Sequence, residues 1–350
     1  MPGKYSLSKY HKIAILPGDG IGPEVTAEAV KVLKSLDINF DFLIGDVGSQ
    51  AYNATGSPIP DETKEICENA EAVLMGAIGH SYAPYKIPEL VLKYLRMEKG
   101  AFANICPLKL YPGIFPRENQ RSTHNIDIVV IRSNMDGFVL EHEGDLWGEK
   151  GRDVRIITKE GAERVARFAC EYTVKKGRKT ITCIDAHNLL YGDKLFRKAF
   201  SDVAEGFPDI QKEYLSVNVA SMVLSTSPWN FDVIISHDIF GDMLTWNIIG
   251  QIGGIGMAPQ ASIGDDFAVF QPVGGAAWKI AGKGIANPFG SILAAKLMLD
   301  WLGEEKEADL IGSTIEEVIM EGETLTPDLG GRSTTKEVGD AVRARLSTRI

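Results

Sequence analysis

Three short segments place a histidine beside an acid: Asp185-Ala186-His187-Asn188, Glu141-His142-Glu143 and His237-Asp238. A histidine next to a carboxylate can take up a proton near neutral pH, so each is a candidate general base. His187 follows an apolar run, and its plainer alternative is a histidine hydrogen-bonded at a strand end. Glu141–Glu143 reads alternatively as a solvated charged loop. On a strand, alternation would put Glu141 and Glu143 on one face and His142 on the other, so the three cannot all meet one ligand. No helical His-x-x-x-His spacing supports a new metal site there. His237-Asp238 fits a helix start, where polar side chains cap free N–H groups.

Two glycine-rich tracts raise the question of an anion or nucleotide. Pro17–Gly22 reads PGDGIG. A turn of this kind before a helix offers backbone N–H groups and partial positive charge to a phosphate or carboxylate. Its spacing is G-x-G-x-G rather than G-x-G-x-x-G, and no P-loop Lys-Ser/Thr follows. A tight structural turn is the competing reading. Gln271–Pro288, QPVGGAAWKIAGKGIANP, has few side chains to obstruct a flat or extended ligand. Together the tracts favour a nucleotide site.

These residues must be held by elements that alternate along the chain. Strands are expected at His11–Leu16, Asp41–Gly45, Ala72–Met75, Ile126–Arg132, Val154–Thr158, Thr180–Asp185 and Phe231–Ser236. Helices are expected from Pro23, and at Ile87–Lys99, Lys159–Lys176, Asp193–Val203, Phe289–Leu302 and Leu310–Glu321. This alternation implies an α/β fold with a mostly parallel sheet covered by helices. Ile248–Phe267 is glycine-rich and aperiodic, and reads as a hinge or crossover.

Composition excludes several classes. The 350 residues carry 47 acids against 37 bases, a net charge of −10, with no long basic block. That argues against nucleic acid and anionic membranes as partners. No apolar run is long enough for a membrane span. The polar N-terminus lacks the apolar core of a signal peptide. Cys67, Cys106, Cys170 and Cys183 are widely spaced, which suggests a reducing, cytoplasmic setting without disulfides.

The segments LPGDGIGPEV, AVLMGAIG, FANICP, VVIRSN, HDIFGDML, VGGAAWKIAGKGIANP and TPDLGG occur in one order along the chain. In these the chain resembles the isocitrate/isopropylmalate dehydrogenase family, which includes tartrate/D-malate and homoisocitrate dehydrogenases. The resemblance implies a two-domain α/β fold with a mixed, mostly parallel sheet that is not of Rossmann type. Residues 1–103 with 255–350 would form a terminal domain carrying the nucleotide loops. Residues 104–254 would form a central domain with the substrate cleft and homodimer contacts. The family oxidises a small 2-hydroxy di- or tricarboxylate with NAD or NADP and Mg²⁺ or Mn²⁺, usually with loss of CO₂, in a cleft completed by a second subunit. The metal polarises the hydroxyl, a lysine and a tyrosine handle protons, and arginines clamp carboxylates.

Carried over residue by residue, the resemblance makes Arg96, Arg132 and Asn188 substrate contacts and Asp242 the first metal aspartate. It places Gly274, Gly275, Ala276, Lys279, Ile280, Asn287 and Asp328 at the cofactor. Other family positions are replaced. A second arginine falls on Cys106, the tyrosine on Val139 and the lysine on Ala186. The other metal aspartates fall on Trp246 and, from the second subunit, Asn218. One carboxylate with an amide and an indole makes a poor Mg²⁺ or Mn²⁺ site. Loss of a general acid or base costs about 10²–10⁴ in rate, so the ordinary family reaction is expected to be severely slowed. Lys279 stands where NAD-using members carry an aspartate, which favours NADP over NAD. Asp185 and Asp242 are expected to neighbour one cleft, with His187 supplying replacement base chemistry. Three readings follow: an NAD(P)-linked oxidoreductase with altered chemistry, a non-catalytic or regulatory subunit beside a catalytic paralogue, and a recruited lyase or isomerase using His187.

Overall fold

The computed structural model describes residues 10–79, 86–114, 125–137 and 144–349. Val139 and Glu141-His142-Glu143 lie outside them. The strands are β1 (Tyr10–Leu16), β2 (Asn39–Ile44), β3 (Ala72–Met75), β4 (Ala103–Lys109), β5 (Asp127–Ser133), β6 (Gly144–Trp147), β7 (Lys150–Asp153), β8 (Thr180–Asp185), β9 (Gln211–Ser216), β10 (Val233–Ser236), β11 (Pro259–Ile263) and β12 (Ala268–Pro272). Ten of them form one sheet in the order β2-β1-β3-β12-β11-β4-β5-β10-β8-β9, while β6 and β7 pair separately. β2, β1, β3 and β12 run parallel, as do β5, β10, β8 and β9. The junction is antiparallel: β11 pairs with β12 and with β4, and β4 with β5.

Helices cover both faces, so the inner strands are buried on both sides, while the edge strands β2 and β9 are only partly covered. In β1, Ile13 and Ile15 enter one apolar core while Ala14 and Leu16 enter the other. The fold is therefore α/β with a mixed, mostly parallel sheet.

Several boundaries differ from the sequence expectation. Val154–Thr158 is not a strand: Ile156 makes an isolated bridge to Gly137, and the strand in this region is the earlier β7. The reason is Thr158, whose hydroxyl accepts the Gly161 N–H and so starts the Lys159–Lys175 helix. Ile87–Lys99 is not uniformly α-helical, because a π-helical stretch at Lys93–Glu98 follows Ile87–Leu92. Ile248–Phe267 holds more than a crossover, since it contains β11 at the centre of the sheet. β4, β9, β12 and the Val217–Thr226 and Thr335–Leu346 helices add to the expected set.

The PGDGIG turn is a structural joint rather than an open anion site. Three of its N–H groups are used internally: Asp19 donates to Ala77 O, Ile21 to Ala276 O and Gly22 to Asp19 O. The buried Asp19 carboxylate itself takes the anionic role. It accepts from the backbone N–H of Ser49 at 2.9 Å, and from those of Gln50 and Gly79 at 3.2 Å. Gly20 has φ +58°, and a Cβ there would stand 2.0 Å from Ala276 O. The turn is thus pressed directly against the second glycine-rich tract.

Removing the Asp19 carboxylate would strand buried N–H donors, each costing about 1–3 kcal/mol. Asp19→Ala should lower unfolding free energy by about 3 kcal/mol in urea titrations. Asp19→Asn, which keeps one acceptor oxygen, should lose less.

Candidate functional site

Arg132 ends β5, and its neighbours are set by the register. Asn104 of β4 lies directly opposite Arg132, and Ser262 of β11 lies opposite Asn104. Arg132 Nε donates to Asn104 Oδ1 at 3.1 Å, and Asn104 Nδ2 donates to Gln260 Oε1 at 3.2 Å. Arg132 Nη1 forms an ion pair with Asp242 Oδ1. Asp242 Oδ2 accepts from Trp246 Nε1 at 3.2 Å, one turn further along the Asp238–Ile249 helix. The cluster therefore joins β4, β5, β11 and that helix.

Arg96 comes from the π-helical stretch, a geometry often found at functional sites. Its Nε is buried without a hydrogen-bond partner among the described residues. Burial, then repulsion from Arg132, pushes the Arg96 guanidinium down to about 9, against the attraction of Asp242. It remains charged at neutral pH. Cys106, two residues beyond Asn104 on β4, donates to Pro259 O at 3.1 Å. Burial pushes its thiol up to about 12, so it stays protonated.

Asp185 ends β8, and a second cluster forms there. Its carboxylate is fully buried and accepts from Arg197 Nε at 2.6 Å and Nη2 at 3.1 Å. His187 Nδ1 lies 2.9 Å from Asp185 Oδ1, and the ring is partly exposed. Its Nε2 meets no partner among the described residues. Asn188 is exposed. Asp185 is thus an orienting group for His187, not an open acid. β5, β10 and β8 are adjacent and parallel, so the two clusters end strands about 10 Å apart. Among the described residues, no side-chain hydrogen bond or ion pair joins them.

A third cluster was not foreseen. His237 precedes the Asp238–Ile249 helix without capping it through its side chain. The ring is instead buried, 3.0 Å from the buried Asp193 Oδ2. Arg155 Nη1 donates to Asp193 Oδ1 at 2.7 Å, and its Nη2 lies 2.6 Å from His237 Nδ1. Asp193 also accepts the Ala186 N–H at 2.6 Å. This ties the His187 turn to the start of the Asp242 helix. The partners come from three separated segments, so no local spacing announces them.

The remaining candidates lie on the second glycine-rich tract. Gly274 has φ +117°, and a Cβ there would meet Ile255 at 2.5 Å. Gly275 and Lys279 are exposed, while Ala276 is buried. Ile280 donates its N–H to Ala277 O at 2.9 Å, and Ala277 holds a left-handed backbone at φ +43°. Trp278 Nε1 is buried with no partner among the described residues. Asn287 Nδ2 donates to Asp328 Oδ2 at 3.0 Å, so these two are brought together. An open backbone, an unused indole donor and an exposed cation suit a flat, phosphate-bearing ligand such as a dinucleotide. Among the described residues, no cluster of three or more His, Cys, Asp or Glu side chains is placed to hold a metal ion.

Asp193 gives a pH prediction. Burial alone would raise its carboxyl, but His237, the Ala186 N–H and Arg155 outweigh burial and hold it below the usual range. Its stabilising contribution is then present above the unfolded carboxyl value near 4, and is lost as pH falls through the lower folded value. Asp193→Asn should cost about 3 kcal/mol at pH 7. The gap from wild type, measured by urea unfolding, should narrow below about pH 4.

The family model described as Isocitrate/isopropylmalate dehydrogenase matches residues 12–342. The 3-isopropylmalate dehydrogenase of Archaeoglobus fulgidus is 39% identical over 339 residues, covering 96% of this chain and 99% of that protein. The homoisocitrate dehydrogenase of Methanocaldococcus jannaschii is 37% identical over 341 residues, covering 95% and 96%. Among solved structures, the isocitrate dehydrogenase of Methylococcus capsulatus superposes with a TM-score of 0.89 at 30% identity, covering 96% of this chain and 99% of that one. A beta-decarboxylating dehydrogenase from Thermococcus kodakarensis gives 0.82 at 36% identity, covering 97% and 96%. With the family model and these relatives spanning nearly its whole length, the chain belongs to the isocitrate/isopropylmalate dehydrogenase family.

Proposed function

We propose that the protein is an NAD(P)-linked oxidoreductase acting on a small di- or tricarboxylate, with proton chemistry altered from that of its family. The observation that carries this reading is Arg96: a buried guanidinium nitrogen without a partner, beside a second guanidinium. Such a group calls for an anionic ligand, because a buried charge is costly unless paired. Arg132 supports it, since no protein acceptor among the described residues takes its Nη2. Arg96 and Arg132 together would hold a carboxylate and fix its orientation.

His187 would handle the hydroxyl proton. Asp185 orients its ring through Nδ1, which leaves Nε2 for the substrate. Arg197 on Asp185 keeps that carboxylate in place. A bound nicotinamide would supply the hydride acceptor. Gly274, Gly275, Ala276, Ile280, Asn287 and Asp328 would hold the dinucleotide, and Lys279 favours NADP through the added phosphate. In this reading, residues 1–103 with 255–350 form the cofactor-bearing domain and 104–254 the substrate-bearing one. The sheet supports that division, because the switch from β11 to β4 falls at the boundary.

A homodimer is part of the proposal. The Val217–Thr226 and Asp238–Ile249 helices pack together and leave Val219, Met222, Ile239, Met243 and Trp246 between 43% and 63% exposed. A continuous apolar face of this kind marks an interface. Asn218 lies on the same helix pair, so a partner copy would bring it near the cleft. A second reading, a non-catalytic or regulatory subunit working beside a catalytic paralogue, is favoured by Ala186, which offers no proton-transfer group, and by Trp246, which offers no metal ligand.

The decisive assay follows nicotinamide reduction by absorbance. It crosses NAD⁺ and NADP⁺ with D-malate, tartrate, isocitrate, homoisocitrate and isopropylmalate. The expected outcome is turnover with NADP⁺ preferred. His187→Ala should then lower kcat by about 10²–10⁴. Arg96→Leu should raise KM by about 10–100-fold, the loss of a charged hydrogen bond. Silence in every well, with carboxylate binding intact, would favour the regulatory reading or a non-redox lyase or isomerase. The double variant Met222→Lys with Met243→Lys should run as a monomer in light scattering, where the parent protein runs as a dimer.

A further inference from the structure

We propose that this cleft holds its carboxylate ligand without a divalent metal ion, because the guanidinium of Arg132 and the indole of Trp246 already pair with the one acidic side chain that the described residues offer there. This rests on the reading of Arg96 and Arg132 as a carboxylate site. The argument starts from the oxygens of Asp242. Oδ1 is ion-paired to Arg132, and Oδ2 accepts the Trp246 N–H at 3.2 Å. Each oxygen keeps a further lone pair, but a metal ion bound there would lie beside the Arg132 guanidinium and be repelled by it. Mg²⁺ and Mn²⁺ also ask for about six oxygen ligands, most usefully charged ones. Among the described residues, the neighbouring positions add no second charged oxygen. Trp246 has no lone pair to give, and Cys106 keeps its thiol proton and bonds to Pro259 O. Asn104 is committed at both ends of its amide, to Arg132 and to Gln260.

Charge points the same way. Arg96, Arg132 and Asp242 together carry one net positive charge. A single carboxylate brings the cluster to neutrality. A divalent ion would instead add repulsion with two guanidiniums, one of them already destabilised by the other. The fixed cation of Arg132 thus does for Asp242 what a bound metal ion would do elsewhere. The ligand class that fits is a carboxylate recognised by two guanidiniums, without a chelated ion between ligand and protein.

The test uses the full-length protein with Mn²⁺ and D-malate as probes. Free Mn²⁺ is read by electron paramagnetic resonance, with and without D-malate. D-malate affinity is read by calorimetry in EDTA and again in Mn²⁺. The expected result is that Mn²⁺ stays free at millimolar concentration and that D-malate binds with the same Kd in both solutions. Trp246→Asp places a second carboxylate one turn from Asp242, and should gain Mn²⁺ binding in the presence of D-malate. Micromolar Mn²⁺ binding by the parent protein, or D-malate affinity that collapses in EDTA, would overturn the inference. So would a Trp246→Asp variant that folds but binds Mn²⁺ no better than the parent. Absence of D-malate binding in both solutions would instead overturn the carboxylate reading beneath it, while the Mn²⁺ signal still decides the metal question.

Discussion

The two parallel halves of the sheet run in opposite directions, and backbone hydrogen bonding can join them only through antiparallel strands. β11 and β4 meet that constraint. Between β12 on one side and β5 on the other, they turn two sets of parallel strands into one ten-stranded sheet. The candidate carboxylate site is built on this junction. Asn104 of β4 and Gln260 of β11 form the hydrogen-bonded floor under Arg132. Ser262 of β11 accepts from Asn134, just past the end of β5. Polar side chains are tolerated in this buried centre because each is paired, and that pairing sets the strand register.

The same junction connects the site to the glycine-rich tract. The Ile255–Met257 turn leads directly into β11, and Met257 Sδ lies 3.6 Å from Asn287 Nδ2. Asn287 in turn bonds Asp328. At the other end of the tract, Ala276 takes the Ile21 N–H from the first glycine turn. Thr335, at the start of the final helix, donates its hydroxyl to Ala286 O at 2.7 Å. The proposed cofactor residues are therefore held by three distant parts of the chain, all converging on one loop. A loop so anchored is preorganised, which lowers the ordering cost of binding a flat ligand.

The three polar clusters share a logic of replacement. In the proposed reading, the described residues answer the lysine and paired aspartates that the family resemblance implies with an oriented histidine, a guanidinium paired to a carboxylate and an indole. Among the described residues of these clusters, each charge has a neighbouring partner except at Arg96, whose buried Nε has none and is the proposed place for a ligand. His187 differs from His237 in the one respect that matters for proton transfer. Both sit beside an aspartate, but His237 is fully enclosed, while His187 keeps an exposed edge. A base must reach its substrate, so accessibility separates the two roles.

Much of this was legible in the residues themselves. The alternation of short apolar runs with amphipathic ones identified the α/β class, because burial on two faces or on one leaves different periods. The ordered motifs singled out Arg132, Asp242, Asn287 and Asp328 as candidates, and the carried-over family pattern added Arg96. Other features had no local signal. β11 is only five residues long and carries Gln260 and Ser262, so nothing in its pattern separates it from a loop. Its strand character comes from partners far away in sequence. Asp19 looked like one side of an anion-binding turn, yet it proved to be the anion, because Ser49, Gln50 and Gly79 fold back onto it. The Arg155–Asp193–His237 cluster and the Arg197 clamp on Asp185 likewise depend on long-range packing. Periodicity and motif order are properties of neighbouring residues and survive in one dimension. Which charges meet, and which one is left unpaired, is decided only when the sheet closes around them.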